Sequence, residues 1–200
     1  MFTGIIEELG ILKEIKSNGE LTIEADKIVE DAKIGDSICI NGVCLTITEI
    51  NKNNLKFHIS ETTMKIGRFN SMKPKEILNL ERAMQLNGRF GGHIISGHID
   101  GLVRIIDIKK RGEDTFFEFL YPKEFRNMFV PRGSVAIDGI SLTISSILSS
   151  SFVVTVIPHT LNNTNLKIKR VNDLCHFETD MFLRYINNIL SNGVYYGKNI

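Results

Sequence analysis

Two stretches of the sequence decide the fold: residues 37–47 read SICINGVCLTI, and residues 134–144 read SVAIDGISLTI. They lie 97 residues apart, and six of their eleven positions carry the same amino acid. Near the start of each half, an offset of 93 aligns TGIIE at residues 3–7 with SGHID at residues 96–100. Self-similarity of this kind predicts two copies of one unit of about 95 residues. The boundary between the copies is expected near residues 88–92.

The composition is that of a folded chain without a strong charge preference. Of the 200 residues, 42% are hydrophobic and 24% are charged, so one large core or two smaller ones can form. The formal net charge of +1 argues against a protein that binds the phosphate backbone of nucleic acids. The longest uncharged run, Gly139 to Pro158, contains eight Ser or Thr residues that alternate with apolar ones, which indicates strands rather than a membrane span.

Cysteine usage indicates a reducing compartment. Cys39, Cys44 and Cys175 are an odd number without CxxC spacing, which argues against a disulfide framework and against a zinc site. Residues 1–8 carry acidic side chains where a secretory signal would be basic. We therefore expect a cytoplasmic protein that binds no metal.

Alternation of apolar and polar residues predicts an all-β protein. Val43, Leu45 and Ile47 are separated by polar residues or cysteine, and residues 140–145 repeat the pattern. Residues 115–121 form an aromatic run that is typical of a strand. Many short strands separated by turn residues predict a small barrel or sandwich in each copy.

Short helices are expected at residues 27–32 and 123–128, the second preceded by Pro122 at a favourable start. A longer helix is predicted in the tail, with Asp180 placed to cap it and Gly193 to end it. Its apolar stripe consists of Met181, Phe182, Tyr185, Ile186, Ile189 and Leu190. We expect this stripe to pack on a barrel or, preferentially, on another subunit.

Two polar pairs occupy equivalent positions in the two copies. Alternation places Cys44 and Thr46 on one face of a strand, about 6.6 Å apart, and does the same for Ser141 and Thr143. A glycine two residues before each pair permits close approach of another backbone or a ligand. One interpretation is a pair of matched sites for the same kind of ligand. The other is small polar residues that merely face solvent.

The sequence GGHIISGH at residues 91–98 contains the histidines best able to carry chemistry. His93 and His98 are five residues apart, so on a strand they point to opposite faces, which argues against a shared metal. A phosphate-binding loop would need a following Lys-Ser or Lys-Thr. His98 replaces the apolar Ile5 of the other copy, so it is the better acid–base candidate and His93 the weaker one. His58, His159 and His176 are assigned to solvent or packing.

Six stretches of the chain carry a resemblance to a known family. In order they are MFTGIIEE (1–8), NGVCLT (41–46), NLERAM (79–84), GRFGGHIISGH (88–98), IDGISLT (137–143) and IPHT (157–160). They span almost the whole chain, and together they are highly specific. On these residues the chain resembles the alpha-chain family of riboflavin synthases, which are transferases with a duplicated two-barrel architecture.

The resemblance implies two six-stranded Greek-key barrels at residues 1–92 and 93–180, and a C-terminal helix at residues 181–200 that joins three chains. It implies a dismutation without a cofactor: one 6,7-dimethyl-8-ribityllumazine gives a four-carbon unit to a second, yielding riboflavin and 5-amino-6-ribitylaminouracil. Each barrel would hold one substrate, with the site between the first barrel of one chain and the second barrel of a neighbour. Association with a lumazine synthase shell is a further partner that the resemblance raises.

Transferred onto this sequence, the resemblance assigns substrate contacts to both barrels. In the first barrel they are Gly4, Ile5, Ile6, Cys44, Leu45, Thr46, His58, Ile59, Ser60, Glu61, Thr62 and Thr63. In the second they are Gly97, His98, Ile99, Arg132, Ser141, Leu142, Thr143, Ile157, Pro158, His159, Thr160, Leu161 and Asn162. The chain departs from the family at Arg132, usually Lys, at residues 61–63, usually Pro-Glu-Thr, and at Gly67, usually Thr.

The implied reaction depends mainly on positioning. Holding two substrates together is worth about 7–11 kcal/mol, whereas one acid or base supplies about 3–5 kcal/mol. His98 and Ser141 are expected to exchange protons with the lumazine in the second barrel, and Thr143 and Cys44 to orient or relay. Asp180 is expected to bond ribityl hydroxyls or to hold a partner.

Two other functions stay open at this point. A non-catalytic lumazine-binding protein would use the same fold to hold a chromophore, but such proteins tend to lose the polar pair that Ser141 and Thr143 form. A flavin-dependent reductase has a similar barrel but needs a nucleotide-binding domain, for which the chain has no room. Conversion of the lumazine to a flavin would separate the enzyme from the binder.

Overall fold

The computed structural model describes residues 1–192, and this part of the chain forms two closed antiparallel barrels. The first contains β1 (Glu8–Ile15), β2 (Glu20–Glu24), β3 (Ser37–Ile40), β4 (Val43–Asn51), β5 (Asn54–His58) and β6 (Ile77–Arg82). The second contains β7 (Gly101–Arg111), β8 (Asp114–Leu120), β9 (Ser134–Ile137), β10 (Ile140–Ile147), β11 (Ser151–Val156) and β12 (Leu174–Thr179). Around the barrels the neighbours are β1-β2-β5-β4-β3-β6 and β7-β8-β11-β10-β9-β12, the same Greek-key order. The duplication and the all-β class are confirmed.

Each barrel has its own hydrophobic core, and the alternation of the sequence decides which residues enter it. Leu45 and Ile47 on β4 are buried, whereas Thr46 between them is exposed. The second core is richer in aromatic rings, and Phe119 stacks on Phe152 with ring centroids 5.4 Å apart. Burial of each such side chain stabilises the fold by about 1.5–3 kcal/mol.

The two barrels meet through a pair of tight hairpin turns. Asn41 and Gly42 join β3 to β4 with φ of 46° and 86°, and Asp138 and Gly139 join β9 to β10 with φ of 44° and 80°. Positive φ at both central residues is the mark of the type I′ turn, which favours Asn-Gly and Asp-Gly. The turns pack against each other so closely that a Cβ on Gly139 would lie 2.8 Å from the backbone nitrogen of Gly42.

A buried cluster of polar side chains surrounds this contact. The side-chain nitrogen of Asn79 donates to the carbonyl of Asp138 (2.9 Å) and to Oδ1 of Asn165 (3.0 Å). Asn165 in turn donates to Oδ2 of Asp138 (2.8 Å), and Nδ1 of His176 donates to the carbonyl of Asn41 (2.8 Å). Because the bonds made by Asn79 and by His176 run between the two barrels, they fix one relative placement of the halves.

Asp138 is a fully buried charge at the centre of this cluster. Burial alone would raise its pKa, but the charges of Lys169 and Arg68, together with the hydrogen bond from Lys169, lower the pKa to about 2. Nζ of Lys169 lies 2.8 Å from the carboxylate. The Nε2 atom of His176 accepts the backbone N–H of Arg68 at 3.1 Å, and burial lowers the pKa of this histidine, so its ring is held neutral.

The segments that precede β1 and β7 cross from one copy to the other. The backbone nitrogen of Phe2 donates to the carbonyl of Ile95 (2.8 Å), and that of Ile95 donates back to Phe2 (3.1 Å). Both side chains are buried in a small third core with Cys39 and Ala136. The first residues of each copy are therefore held between the barrels.

Short helices connect the strands. The two expected near residues 27–32 and 123–128 exist, but as 3₁₀-helices, since each is short and lacks a side-chain cap. The 3₁₀-helices are Ile28–Glu30, Phe69–Ser71, Lys123–Met128 and Asn165–Ile168. Helices α1 (Glu61–Ile66) and α2 (Pro158–Asn162) follow β5 and β11.

The tail forms the predicted helix, α3 (Met181–Asn192). Its cap is the predicted one, because the N–H of Phe182 donates to Oδ1 of Asp180 at 2.8 Å. The predicted end at Gly193 lies outside the described residues. Up to residue 192, the chain contains no helix of the length and apolar character that a membrane span needs.

Candidate active site

Residues 3–6 lie against the second barrel, although they lead into the first. The carbonyl of Gly4 accepts the N–H of Ser141 at 2.9 Å, and Ile6 packs on the second core. Gly4 has a φ of 79°, and a Cβ at this position would lie 2.5 Å from the nitrogen of Ser141. Glycine is therefore required here by both conformation and space.

The equivalent segment of the second copy, residues 96–99, makes the reciprocal crossing. The carbonyl of Gly97 accepts the N–H of Cys44 at 2.9 Å, and Ile99 packs on the first core. Gly97 has a φ of 81°. Each polar pair identified in the sequence is thus faced by a segment from the other half of the chain.

This exchange corrects the grouping of contacts that we expected from the sequence. We expected Gly4 to join Cys44 in the first barrel, and residues 97–99 to join Ser141 in the second. The structure pairs them the other way round. A repeat reveals which segments are equivalent, but it cannot reveal whether each segment stays with its own copy or crosses to the other.

His93, the weaker acid–base candidate by sequence, lies in contact with Ser141. Its Nδ1 lies 2.7 Å from Oγ of Ser141, and the ring is buried. Burial lowers the pKa of His93, while the nearby charge of Asp180 acts in the opposite direction. Nε2 has no hydrogen-bond partner within residues 1–192. The geometry is that of a neutral base in contact with a hydroxyl group.

His98 is placed differently from the expectation. Its side chain is exposed, and its segment lies with Cys44 rather than with Ser141. Its backbone N–H donates to Oγ of Ser96 (3.2 Å) and to Glu178 (3.1 Å). Within one chain His98 therefore lies on the side of Cys44, and its expected exchange of protons with a lumazine stays a prediction.

Two glutamates anchor the crossing segments. Glu81 on β6 accepts the N–H groups of Thr3 (2.7 Å) and Gly4 (2.9 Å), and Glu178 on β12 accepts those of Ser96 (2.7 Å) and Gly97 (2.9 Å). The sequence pairs these glutamates at the offset of 97, but their role was missed. A charged residue repeated inside an apolar strand is the signal that could have identified them.

The other expected contacts lie beyond β5 and β11. Residues 58–63 are mostly exposed, and Ser60 caps α1 by accepting the N–H of Thr63 at 3.2 Å. Residues 157–162 form the start and body of α2, and Ile157 is 53% exposed. Both segments follow the strand that pairs with the one carrying the polar pair.

Arg132 lies in a turn before β9, with an exposed side chain and a φ of 65°. Its backbone nitrogen donates to the carbonyl of Ile144, which ties the turn to β10. Cys39, Cys44 and Cys175 are all free thiols. Residues 1–192 contain no group of three or more His, Cys, Asp or Glu side chains that could hold a metal ion.

Fold and site together define a protein with two lumazine-binding units in tandem. The family described as Lumazine binding domain matches residues 3–83 and 96–180. The riboflavin synthase of Actinobacillus pleuropneumoniae is 41% identical over 193 residues, which cover 95% of this chain and 90% of the relative. Those of Bacillus subtilis (strain 168) and Schizosaccharomyces pombe are 38% and 33% identical, with 95% of this chain and 90% and 94% of the relatives covered. The chain belongs to the riboflavin synthase family.

Solved structures agree on the fold. LumP complexed with riboflavin superposes with a TM-score of 0.83 over 90% of this chain and 99% of that chain, at 23% sequence identity. The activity follows from the sequence relatives: the chain is a transferase that dismutates two 6,7-dimethyl-8-ribityllumazine molecules into riboflavin and 5-amino-6-ribitylaminouracil. A purely chromophore-holding function is not favoured.

Proposed function

We propose that each chain carries two lumazine sites, one on each barrel, and that each is completed by a segment of the other half. The observation that carries this proposal is the reciprocal crossing, which brings a glycine carbonyl to the first residue of each polar pair. The first-barrel site then comprises residues 44–46, 58–63 and 97–99. The second-barrel site comprises residues 4–6, 141–143 and 157–162, with Arg132 and Asp180 beside it.

In the second-barrel site, Ser141 and His93 form the proton-transfer pair. The neutral imidazole of His93 accepts a proton from the lumazine through the Ser141 hydroxyl, and the carboxylate of Asp180 favours the imidazolium cation that results. Cys44 and His98 hold the corresponding position in the first-barrel site. Thr46 and Thr143, which are exposed beside the reacting pairs, orient the substrates.

The substrate sites are open within one chain. Ile5 and Ile157, which both belong to the second-barrel site, are 50% and 53% exposed. Apolar side chains of a binding site are normally covered by the ligand or by a partner surface. This supports a site that a neighbouring chain closes, with a first barrel facing a second barrel across the interface.

The site assignment is tested with 6,7-dimethyl-8-ribityllumazine as the substrate. Ser141→Ala should lower the turnover about 10²–10⁴-fold while binding of riboflavin changes little. Ser146→Ala, an exposed position on the same strand, is the matched control and should keep full turnover. Full turnover in Ser141→Ala would overturn the assignment, and failure of the unmodified chain to form flavin would make it a binder.

We also propose that α3 joins three chains. Phe182, Tyr185, Ile186, Ile189 and Leu190 are each more than half exposed. They follow the i, i+3, i+4, i+7, i+8 spacing of one helix face, and such a face is stable in water only when it is covered. The proposed division of the chain is therefore two barrels, residues 1–92 and 93–180, and a trimerisation segment, residues 181–200.

The trimer is tested by sedimentation. The unmodified chain, of 22.6 kDa, should sediment at about three times its mass. Ile186→Asp should shift it to the monomer and remove turnover, because the halves of the site then separate. Ser191→Asp, exposed on the same helix but off the apolar face, should keep both properties. A monomeric unmodified chain with full turnover would overturn this proposal.

The three free thiols support a cytoplasmic location, since a reducing compartment keeps cysteines unpaired. The proposal is tested by fractionation of the cells that make the protein. Recovery of the protein with soluble cytoplasmic markers is expected, and recovery from an oxidising compartment would contradict it.

A further inference from the structure

Two buried carboxylates at equivalent positions each accept the backbone N–H and the hydroxyl of one residue and the backbone N–H of the next. Glu81 accepts the N–H of Thr3 (2.7 Å), the hydroxyl of Thr3 (3.0 Å) and the N–H of Gly4 (2.9 Å on one oxygen, 3.2 Å on the other). Glu178 accepts the N–H and the hydroxyl of Ser96, both at 2.7 Å. It also accepts the backbone N–H groups of the two residues that follow, at 2.9 and 3.1 Å.

This pattern needs an ionised carboxylate. Both oxygens of each glutamate accept only, so a neutral acid or an amide would turn one acceptor into a donor that faces other donors. Glu81 and Glu178 are 4% and 2% exposed, so water cannot replace the lost bonds. Burial raises the pKa of Glu81, and the groups donated by Thr3 and Gly4 counteract this.

Each carboxylate holds a segment whose next contact is on the opposite barrel. Glu81 belongs to β6 of the first barrel. The segment that it binds nevertheless places the Gly4 carbonyl against the N–H of Ser141 in the second barrel. Glu178 belongs to the second barrel, and its segment delivers the Gly97 carbonyl to Cys44 of the first. The anchor of each segment and the site that it completes lie on different barrels.

We propose that Glu81 and Glu178 are positioning residues, each of which sets the geometry of the substrate site on the opposite barrel. Glu81 acts on the site of Ser141, and Glu178 acts on the site of Cys44. The inference rests on the proposed function, because it takes these two places as the substrate sites. It makes the two halves of the enzyme mutually dependent even though each barrel has its own core.

The crossed arrangement predicts a crossed effect of substitution. If Glu81 served only its own barrel, Glu81→Gln would loosen the neighbouring strands β3 and β4, and so the region of Cys44. The positioning role predicts the reverse: the region of Ser141 loosens, and that of Cys44 does not. Glu178→Gln should loosen the region of Cys44 and spare that of Ser141.

Amide hydrogen exchange of the full chain measures this directly. In Glu81→Gln, exchange of the Ser141 amide should accelerate about 10–100-fold, as expected when a bond to a charged group is lost, with the Cys44 amide unchanged. Glu178→Gln should show the mirror image. Glu20→Gln, an exposed glutamate on β2, is the control and should change neither. An uncrossed pattern, or equal acceleration at both amides, would overturn the proposal.

Milder variants keep the test decisive if the glutamine chains do not fold. Thr3→Val and Ser96→Ala each remove only the side-chain donor and retain the carboxylate. They should reproduce the crossed pattern with a smaller amplitude and should raise KM while kcat falls, up to about 100-fold, as for a misplaced substrate. Crossed exchange with unchanged kcat and KM would contradict the positioning role. Failure of the two-site proposal would instead appear in the unmodified chain, as binding of one lumazine per chain.

Discussion

The two copies differ in chemistry at the residues that face each other. Asn41 of the first copy corresponds to Asp138 of the second, and Asn79 corresponds to His176. Two aspartates in this buried contact would repel each other without enough compensation from solvent. The substitution of neutral amides in one copy lets a single carboxylate be matched by Lys169, which lies 2.8 Å from it. The duplicated unit has thus diverged so that it can pack against itself.

The same divergence places different side chains in the two proposed sites. Ser141 contacts the buried His93. Cys44 is half-buried and lies beside the segment that carries His98, whose side chain is exposed. Two lumazines that must react as donor and acceptor need different proton chemistry, so this asymmetry fits the reaction. The roles of His93 and Ser141 can be separated from simple packing by a double-mutant cycle.

We expect His93→Gln to lower kcat about 10²–10⁴-fold, because it removes the base in contact with the Ser141 hydroxyl. The double variant His93→Gln, Ser141→Ala should be no slower than Ser141→Ala alone, since groups that act as a unit are not additive. Steady-state flavin formation by all four proteins supplies the measurement. Multiplicative losses would show that the two residues act separately.

The turn that carries Gly139 makes one of the close backbone contacts between the barrels. Gly139→Ala should destabilise the protein for two reasons: φ is 80°, and the new Cβ would lie 2.8 Å from a backbone atom of Gly42. Gly112→Ala is a matched control, because φ is also positive (61°) but a Cβ there would meet nothing within 4 Å.

In urea unfolding at one chain concentration, the control should lose about 1–2 kcal/mol from backbone strain alone. Gly139→Ala should lose about 1–3 kcal/mol more from overpacking. Equal losses in the two variants would mean that the turns do not need their close contact.

Most elements of the fold could be predicted because they follow from local patterns. Alternation identified the strands at residues 43–47 and 140–145, and helical spacing with Asp180 as the cap identified α3. The 3₁₀ character of Lys123–Met128 was not predicted, since a six-residue segment carries too little periodicity to separate the helix types.

The candidate site could be predicted in composition but not in arrangement. Cys44 and Ser141 stood out because they recur at the repeat offset, each with a threonine two residues further along the strand. The contact of His93 with Ser141 joins residues 48 positions apart, and the crossing of residues 3–6 depends on how two barrels dock. Long-range docking of this kind leaves no periodic trace in a single sequence.

For the whole molecule, the buried histidines between the barrels should make the stability of the fold depend on pH. His176 is fully buried, with Asp138, Lys169 and Arg68 as the charged groups around it. Burial lowers the pKa of His176 and of His93, so both rings stay neutral in the folded protein at pH values where an unfolded histidine takes up a proton. Acid therefore favours the unfolded chain.

We expect the free energy of unfolding to be constant above about pH 7 and to fall below about pH 6.5, the ordinary pKa of histidine. Each neutral histidine contributes a slope of up to about 1.4 kcal/mol per pH unit. Asp138 does not contribute in this range, because its pKa is lowered to about 2 and its stabilisation is lost only in stronger acid.

His176→Asn, which copies the residue found at the equivalent position Asn79, should be less stable at pH 7.5 because the bond to Arg68 is weakened. Its stability should nevertheless fall only about half as steeply between pH 6.5 and 5.5, since His93 alone then contributes. Urea unfolding at several pH values and one fixed chain concentration compares the two slopes. Equal slopes would mean that His176 is already protonated in the folded protein. That result would contradict a neutral His176 ring that bonds to Asn41 and Arg68.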